Sequence, residues 1–266
     1  MLMTLTEQLR QNFKHILLHI SEDMTRKDIQ KIYSLCTERI SISDTKTLVI
    51  FRRLEHERLI SWKDVDYLKY LMREIRRLDI VETLTEYENK RDLTILLDFY
   101  ARKRQGLDFT CCSHNVRRVA GYLTRLMDMV QDNIDIVNII TSVNSSKEIR
   151  NALVNFEEEI DCREQTFSWN EFMMLVVIAG ELLAIASASE VRSEPVMELC
   201  STAADELCPR MIELGSWKEF CDQVRKRYNS VYHRRHLESN PTLFVQRQRA
   251  EIVERLSETI FFTVNS

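Results

Sequence analysis

The stretch Phe172-Met-Met-Leu-Val-Val-Ile-Ala-Gly180-Glu181-Leu-Leu-Ala-Ile185 is apolar on every side of a helix and is interrupted only by Glu181. Such a helix either enters a membrane or forms the centre of a bundle. The run falls short of the roughly 20 residues a membrane span needs. Amphipathic helical patterns lie on both sides of it: Leu93 to Arg104, Val116 to Val130, Ile149 to Ile160, Pro195 to Met211, Trp217 to Tyr232 and Leu243 to Phe261. No second span is visible, so the central-helix reading is preferred. The tail Ile260 to Val264 is too short to cross.

Composition points the same way. Only 4 Gly and 3 Pro occur among 266 residues. Sheet-rich folds need many tight turns, and tight turns need those residues. A glycine-rich phosphate cradle cannot be assembled. The class expected is all-α. The net charge of -4 gives no bulk attraction to nucleic acid, which is not expected as a partner. Met1 to Leu9 shows no apolar run behind a basic start, so no secretory signal is expected. Seven scattered cysteines without repeated C-x-x-C pairs fit reduced thiols in the cytosol. The expected location is cytoplasmic, with the nucleus as a second compartment.

Upstream of a charged junction near Tyr87 to Arg91 lies a separate block, Leu5 to Glu88, which reads as six short helices. Leu9, Phe13, Ile16, Leu17 and Ile20 keep the spacing of an amphipathic helix. A second helix carries Ile29, Ile32, Leu35 and Cys36. A third carries Leu48, Ile50, Phe51 and Leu54. Ser61 precedes a helix from Trp62 to Leu71, and a last one is expected from Glu74 to Tyr87. The division expected is 1–90 and 91–266.

Catalytic chemistry is not expected. His56-Glu57 lacks a second histidine. His233 and His236 lack a third ligand, and Cys111-Cys112 with His114 has no acid fixed by spacing. No catalytic residue, metal site or cofactor follows. Arg225-Lys226-Arg227 and His233-Arg-Arg-His236 read as a solvated basic face or a nuclear-localisation patch. Arg77 and Asp79, two apart on the expected helix, do not face each other. Each can reach a third group such as Asp28, and a guanidinium shared by two acids makes a hydrogen-bonded network. On spacing alone an ordinary charged helix face is the simpler reading. Lys69 reads as a surface position remote from that network.

The first block resembles a death effector domain. The carriers are Phe13-Lys-His-Ile-Leu-Leu-His-Ile20, Asp28-Ile-Gln-Lys-Ile32-Tyr33-Ser-Leu35-Cys36, Phe51-Arg-Arg-Leu54-Glu and Arg77-x-Asp79-Ile80. The last is similar to the family's R-x-D-L motif, with Ile for Leu. The resemblance implies a six-helix death-fold bundle that binds other death effector domains, in adaptors or initiator caspases. It implies a charged triad of Asp28, Arg77 and Asp79. It places Tyr33 where the family carries an exposed aromatic or apolar residue; the bland alternative is a half-buried core tyrosine.

The second block resembles the Bcl-two family. Leu93-Thr-Ile-Leu-Leu-Asp98-Phe99 with Lys103, Gln105 and Gly106 is similar to its fourth homology motif. Ser168-Trp169-Asn170-Glu171 with Ala179-Gly180 is similar to its first, and Pro209 with Gly215-Ser216-Trp217 and Phe220 to its second. Leu123-Thr-Arg-Leu-Met127-Asp128 matches the third only in part. The resemblance implies a groove for amphipathic helices, with Trp169, Glu171, Gly180 and Trp217 as its candidates. Glu171 stands where the family has an arginine, so a standard acidic partner helix would be repelled. The function implied is a non-enzymatic adaptor regulating apoptosis. The alternative is a death effector domain fused to a helical scaffold with a nuclear or nucleic-acid-associated role.

Overall fold

The computed structural model describes residues 4–37, 46–107, 114–131, 145–161, 167–189 and 194–237. The expected helix from Leu243 to Phe261 and the pair Cys111-Cys112 lie outside the described residues. Ten helices occur among them: α1 (Leu5–Asp23), α2 (Arg26–Thr37), α3 (Thr47–His56), α4 (Asp66–Glu74), α5 (Leu78–Arg104), α6 (His114–Gln131), α7 (Ser146–Asp161), α8 (Trp169–Ala188), α9 (Val196–Leu214) and α10 (Trp217–Leu237). No strand occurs among the described residues, so the protein is all-α there.

The chain divides into two compact units, Met1–Glu88 and Asn89–Ser266. Each has its own core. The first is built from Phe13, Leu17 and Ile20 of α1, Ile32 of α2, Phe51 and Leu54 of α3, Leu68 and Leu71 of α4, and Leu84 of α5. Five helices stand among its described residues, against six expected. Two of the expected boundaries also move. The helix predicted from Trp62 begins at Asp66, because Ser61 and Asp64 close a tight loop first. Their backbones bond reciprocally at 2.8 and 3.0 Å. The Ser61 hydroxyl accepts from the Lys63 N–H and the Asp64 carboxylate from the Asp66 N–H. Such side chains offer the backbone an alternative to helix.

The helices predicted as Glu74–Tyr87 and Leu93–Arg104 are rearranged. A turn breaks the chain at Ile75–Arg77, and from Leu78 a single helix of 27 residues runs through the supposed junction. The junction residues are charged, but charge does not stop a helix. Gly and Pro are the strongest helix breakers, and the first of either to occur in the chain is Gly106.

In the second unit α8 is the central helix. It touches α6, α7, α9 and α10, and α5 through Tyr100. Phe172, Leu175, Val176, Ala179, Leu182, Leu183 and Ala186 are all buried. Burying a side chain such as Leu or Phe contributes ~1.5–3 kcal/mol. By length and composition α8 would suffice to cross a membrane, contrary to the shorter run read from sequence; 72% of its apolar window is buried against the bundle. Pro209 sits inside α9. It removes one ladder bond, and it is exposed, so water can satisfy the carbonyl it frees.

Candidate interaction site around Arg77

Three helix ends meet at Arg77. The turn that delivers it follows α4. The Arg77 N–H bonds the Met72 carbonyl at 2.9 Å and the Arg76 N–H bonds the Arg73 carbonyl at 3.0 Å. This is a Schellman ending, which needs a left-handed residue in the position Arg76 holds, at φ 65°. The chain leaves that turn with Arg77 immediately before α5. Arg77 and Asp79 therefore do not lie on one regular helix, and the expectation that they cannot face each other fails. Arg77 Nε donates to Asp79 Oδ1 at 3.0 Å and Nη2 donates to Oδ2 at 2.7 Å.

The rest of the guanidinium reaches α1 and α2. Nη1 donates to the Asp23 carbonyl at 3.1 Å and to Asp28 Oδ2 at 3.4 Å. Nη2 also donates to the Asp23 carboxylate. Asp28 is already part of a reciprocal cap. Its carboxylate accepts from the Thr25 hydroxyl at 2.7 Å and the Thr25 N–H at 3.2 Å, while its own N–H donates to Thr25 Oγ1 at 3.3 Å. The site thus ties the end of α1, the start of α2 and the start of α5 through one side chain.

The electrostatics follow. Burial of Asp28 opposes its ionisation, yet the Thr25 and Arg77 hydrogen bonds outweigh this and hold its carboxyl below the usual range. The Arg77 hydrogen bond does the same for Asp79. Hydrogen bonding to Asp79, and then to Asp23, fixes Arg77 as a cation. Arg77 is 17% exposed, while Asp23 and Asp79 are 54% and 60% exposed. The arginine is an internal tie, and the two acids form its outer rim. Leu78 stands beside them with 60% of its surface open.

The structure brings Asp28, Arg77 and Asp79 together as a triad and adds Asp23, which sequence reading missed. A signal existed. Helix α1 ends in Glu22-Asp23 and has no basic residue in its last turn, an arrangement the macrodipole disfavours. A cation from elsewhere would relieve it. Tyr33 is half-buried and packs against the core, so it is not an exposed anchor. Lys69 is buried and paired with Glu88 rather than lying on the surface.

The four second-unit candidates do not form one site. Trp169 and Trp217 both pack on Phe220, with ring centroids 6.0 and 5.5 Å away. Glu171 is buried, and its carboxylate turns back to accept from the Ser168 N–H at 3.1 Å and from the Ser168 hydroxyl. It completes a capping box for α8 and does not stand at a groove rim. Its signature, Ser168-x-x-Glu171, was legible. Gly180 lies about 14 Å beyond Glu171 along α8, under the Tyr100 ring. A Cβ there would stand 2.8 Å from Tyr100 Cε1 and 3.0 Å from Cγ. The Tyr100 hydroxyl donates to Glu181 at 2.6 Å, and Arg104 Nε donates to the same oxygen at 2.8 Å.

Asp98 is fully buried, and burial pushes its carboxyl up despite two 2.9 Å bonds from Arg102 Nε. Burial raises the Cys36 thiol to about 11 and the Cys221 thiol to about 12, so neither forms the reactive thiolate. Among the described residues no group of His, Cys, Asp or Glu could hold a metal.

The first unit is thus a small helical bundle whose helix ends are tied together by one guanidinium. Residues 13–90 match the family model of the Death effector domain. That family comprises non-catalytic modules of apoptosis-related homotypic interaction, which bind other death-fold domains. No curated protein and no solved structure matches the chain.

Proposed function

We propose that this protein is a non-enzymatic cytosolic adaptor that regulates apoptosis by recruiting death effector domains through its first unit. The observation that carries the reading is the Arg77 site within the matched segment. One guanidinium joins Asp23, Asp28 and Asp79 and leaves two carboxylates and Leu78 on the outside. A partner that brings cations to Asp23 and Asp79 and an apolar contact to Leu78 would meet a surface already held in shape. Preorganisation of this kind lowers the cost of association.

The test uses the full chain and a purified adaptor death effector domain. Arg77→Ala leaves the buried Asp28 without its counter-charge and unties Asp23 and Asp79 from each other. It should weaken association at least tenfold. Arg77→Lys should rescue only in part, because an ammonium lacks the fork. Arg10→Ala is the control; it is exposed on α1, about 20 Å along the helix from Asp23. Equal association by the Arg77 and Arg10 variants at matched thermal stability would reject the site.

For the second unit the scaffold reading is favoured over an open helix-binding groove. Glu171 serves its own helix cap, and Tyr100 occupies the space over Gly180.

A further inference from the structure

We propose that α6 and α10 together form a basic face of the second unit that binds the phosphate backbone of double-stranded nucleic acid. In sequence the two helices hold nine Lys and Arg against three Asp and Glu, in a chain whose net charge is -4. The mild bulk charge conceals this segregation, and it is local charge that a nearby polyanion feels. The fold brings the helices side by side. The Tyr122 and Tyr228 rings stack at 4.4 Å. Arg125 Nη1 donates to the Tyr228 hydroxyl at 2.6 Å, and Arg118 lies within electrostatic reach of Cys221.

The apolar sides of both helices are spent on the core, through Val116, Val119, Ala120 and Leu123 on one and Phe220 and Val224 on the other. Arg117, Arg118, Arg125, Arg225 and Lys226 remain exposed. Among the described residues Arg117, Arg118 and Lys226 have no carboxylate within ion-pair distance. Arg225 is paired with Asp222 at 3.0 Å, with both side chains about half exposed, so water and phosphate can compete for it. Glu219 is occupied in capping, accepting from the Ser216 N–H at 2.9 Å. Gly121 stands between Arg117 and Arg125 on one stripe of α6, and the Lys103 ammonium of α5 lies 3.6 Å from where its Cβ would be, which adds a third cation beside them.

A lipid surface fits less well. Among the residues whose side chains are described, the exposed large apolar ones are Leu18, Tyr70, Leu78, Leu107 and Ile212, and none of these lies on α6 or α10. Interfacial helices hold a membrane with an apolar side buried in it. Among the described side chains of the two helices the exposed ones offer cations, which is the footprint of sequence-independent backbone binding.

The experiment is fluorescence anisotropy of a labelled 20-base-pair duplex DNA, titrated with the full chain. About four phosphate contacts give a slope near -3.6 in log affinity against log salt, hence a loss of roughly 150-fold between 50 and 200 mM. Binding at 50 mM salt should be micromolar, and equal for a second duplex of unrelated sequence. Arg118→Ala and Lys226→Ala should each reduce the slope by about one. The double reversal Arg118→Glu with Lys226→Glu should abolish binding, while Arg10→Ala leaves it unchanged. These side chains are exposed, and a thermal melt checks that the variants fold. Absence of binding at 50 mM salt overturns the proposal, as does binding that survives the double reversal. Binding to phosphatidylserine vesicles with none to duplex also overturns it, in favour of a lipid surface.

Discussion

Gly180 shows how one missing side chain positions two helices. The Tyr100 ring of α5 rests where a Cβ would be, and its hydroxyl is anchored on Glu181 one residue further on. Tyr100 is 1% exposed, so the ring is enclosed by its neighbours. Gly180→Ala should therefore destabilise the protein by about 1–3 kcal/mol, the usual cost of overpacking, although alanine is intrinsically the better helix former. Chemical denaturation of the variant checks this, and Tyr100→Leu in the same background should recover part of the loss. The sequence made Gly180 conspicuous through its motif resemblance, but the contact that explains it lies 80 residues away and has no local signature. Asp28, Arg77 and Asp79 were legible for the same reason, as pieces of a motif, whereas their geometry was not. Spacing on an assumed helix argued against contact, and the helix in fact begins after Arg77.

At the scale of elements, the helices and their apolar sides were readable almost throughout, because period-3.6 patterning and the shortage of Gly and Pro left few alternatives. The ends were less readable where the chain stops a helix without glycine. Arg58 and Arg76 both occupy left-handed positions, at φ 59° and 65°, and both close Schellman turns: Leu59 N–H to Leu54 carbonyl at 2.9 Å, and Arg77 N–H to Met72 carbonyl at 2.9 Å. Gly106 does the same for α5 at φ 72°, and that end was foreseen. A side chain in this conformation costs about 1–2 kcal/mol. Both arginines are exposed, so Arg58→Gly and Arg76→Gly should each raise stability. The gain should be at most about 1 kcal/mol, because glycine also gives the unfolded chain more freedom. Differential scanning calorimetry should show melting a few degrees higher, and a lower value for either would mean the arginine makes contacts worth more than its strain.

The whole molecule carries carboxylates of opposite habit in its two units. Asp28 has a depressed folded pKa, so its ionised form stabilises the first unit above the ordinary carboxylate range, and that contribution is lost as the pH falls through the folded value. Asp98 has a raised folded pKa, so its ionisation costs stability at neutral pH, and the cost is relieved on acidification. Asp28→Asn should thus be less stable than the parent at pH 7, by about 1 kcal/mol as for other caps, with the gap closing below about pH 4. Asp98→Asn should be as stable as the parent or more so at pH 7, since Arg102 is 39% exposed and can turn to water, and the two should converge in acid. Urea titrations from pH 3 to 7 give both differences, and the same sign for the two variants at pH 7 would refute the assignment.

The long helix α5 has a further meaning for anyone wishing to divide the chain. The boundary between units falls between Glu88 and Asn89, inside an unbroken ladder. Carbonyls 85 to 88 take their hydrogen bonds from amides 89 to 92, so a piece ending at Glu88 has an unfinished last turn. That turn carries Tyr87, whose hydroxyl bonds the Trp62 carbonyl at 3.0 Å, and Glu88, the partner of Lys69. On the other side, Lys90 pairs with Asp205, so a second piece starting at residue 91 forfeits that partner. Residues 89 to 92 are thus common property: two faithful halves of this chain would have to overlap, and their lengths would add up to more than the whole.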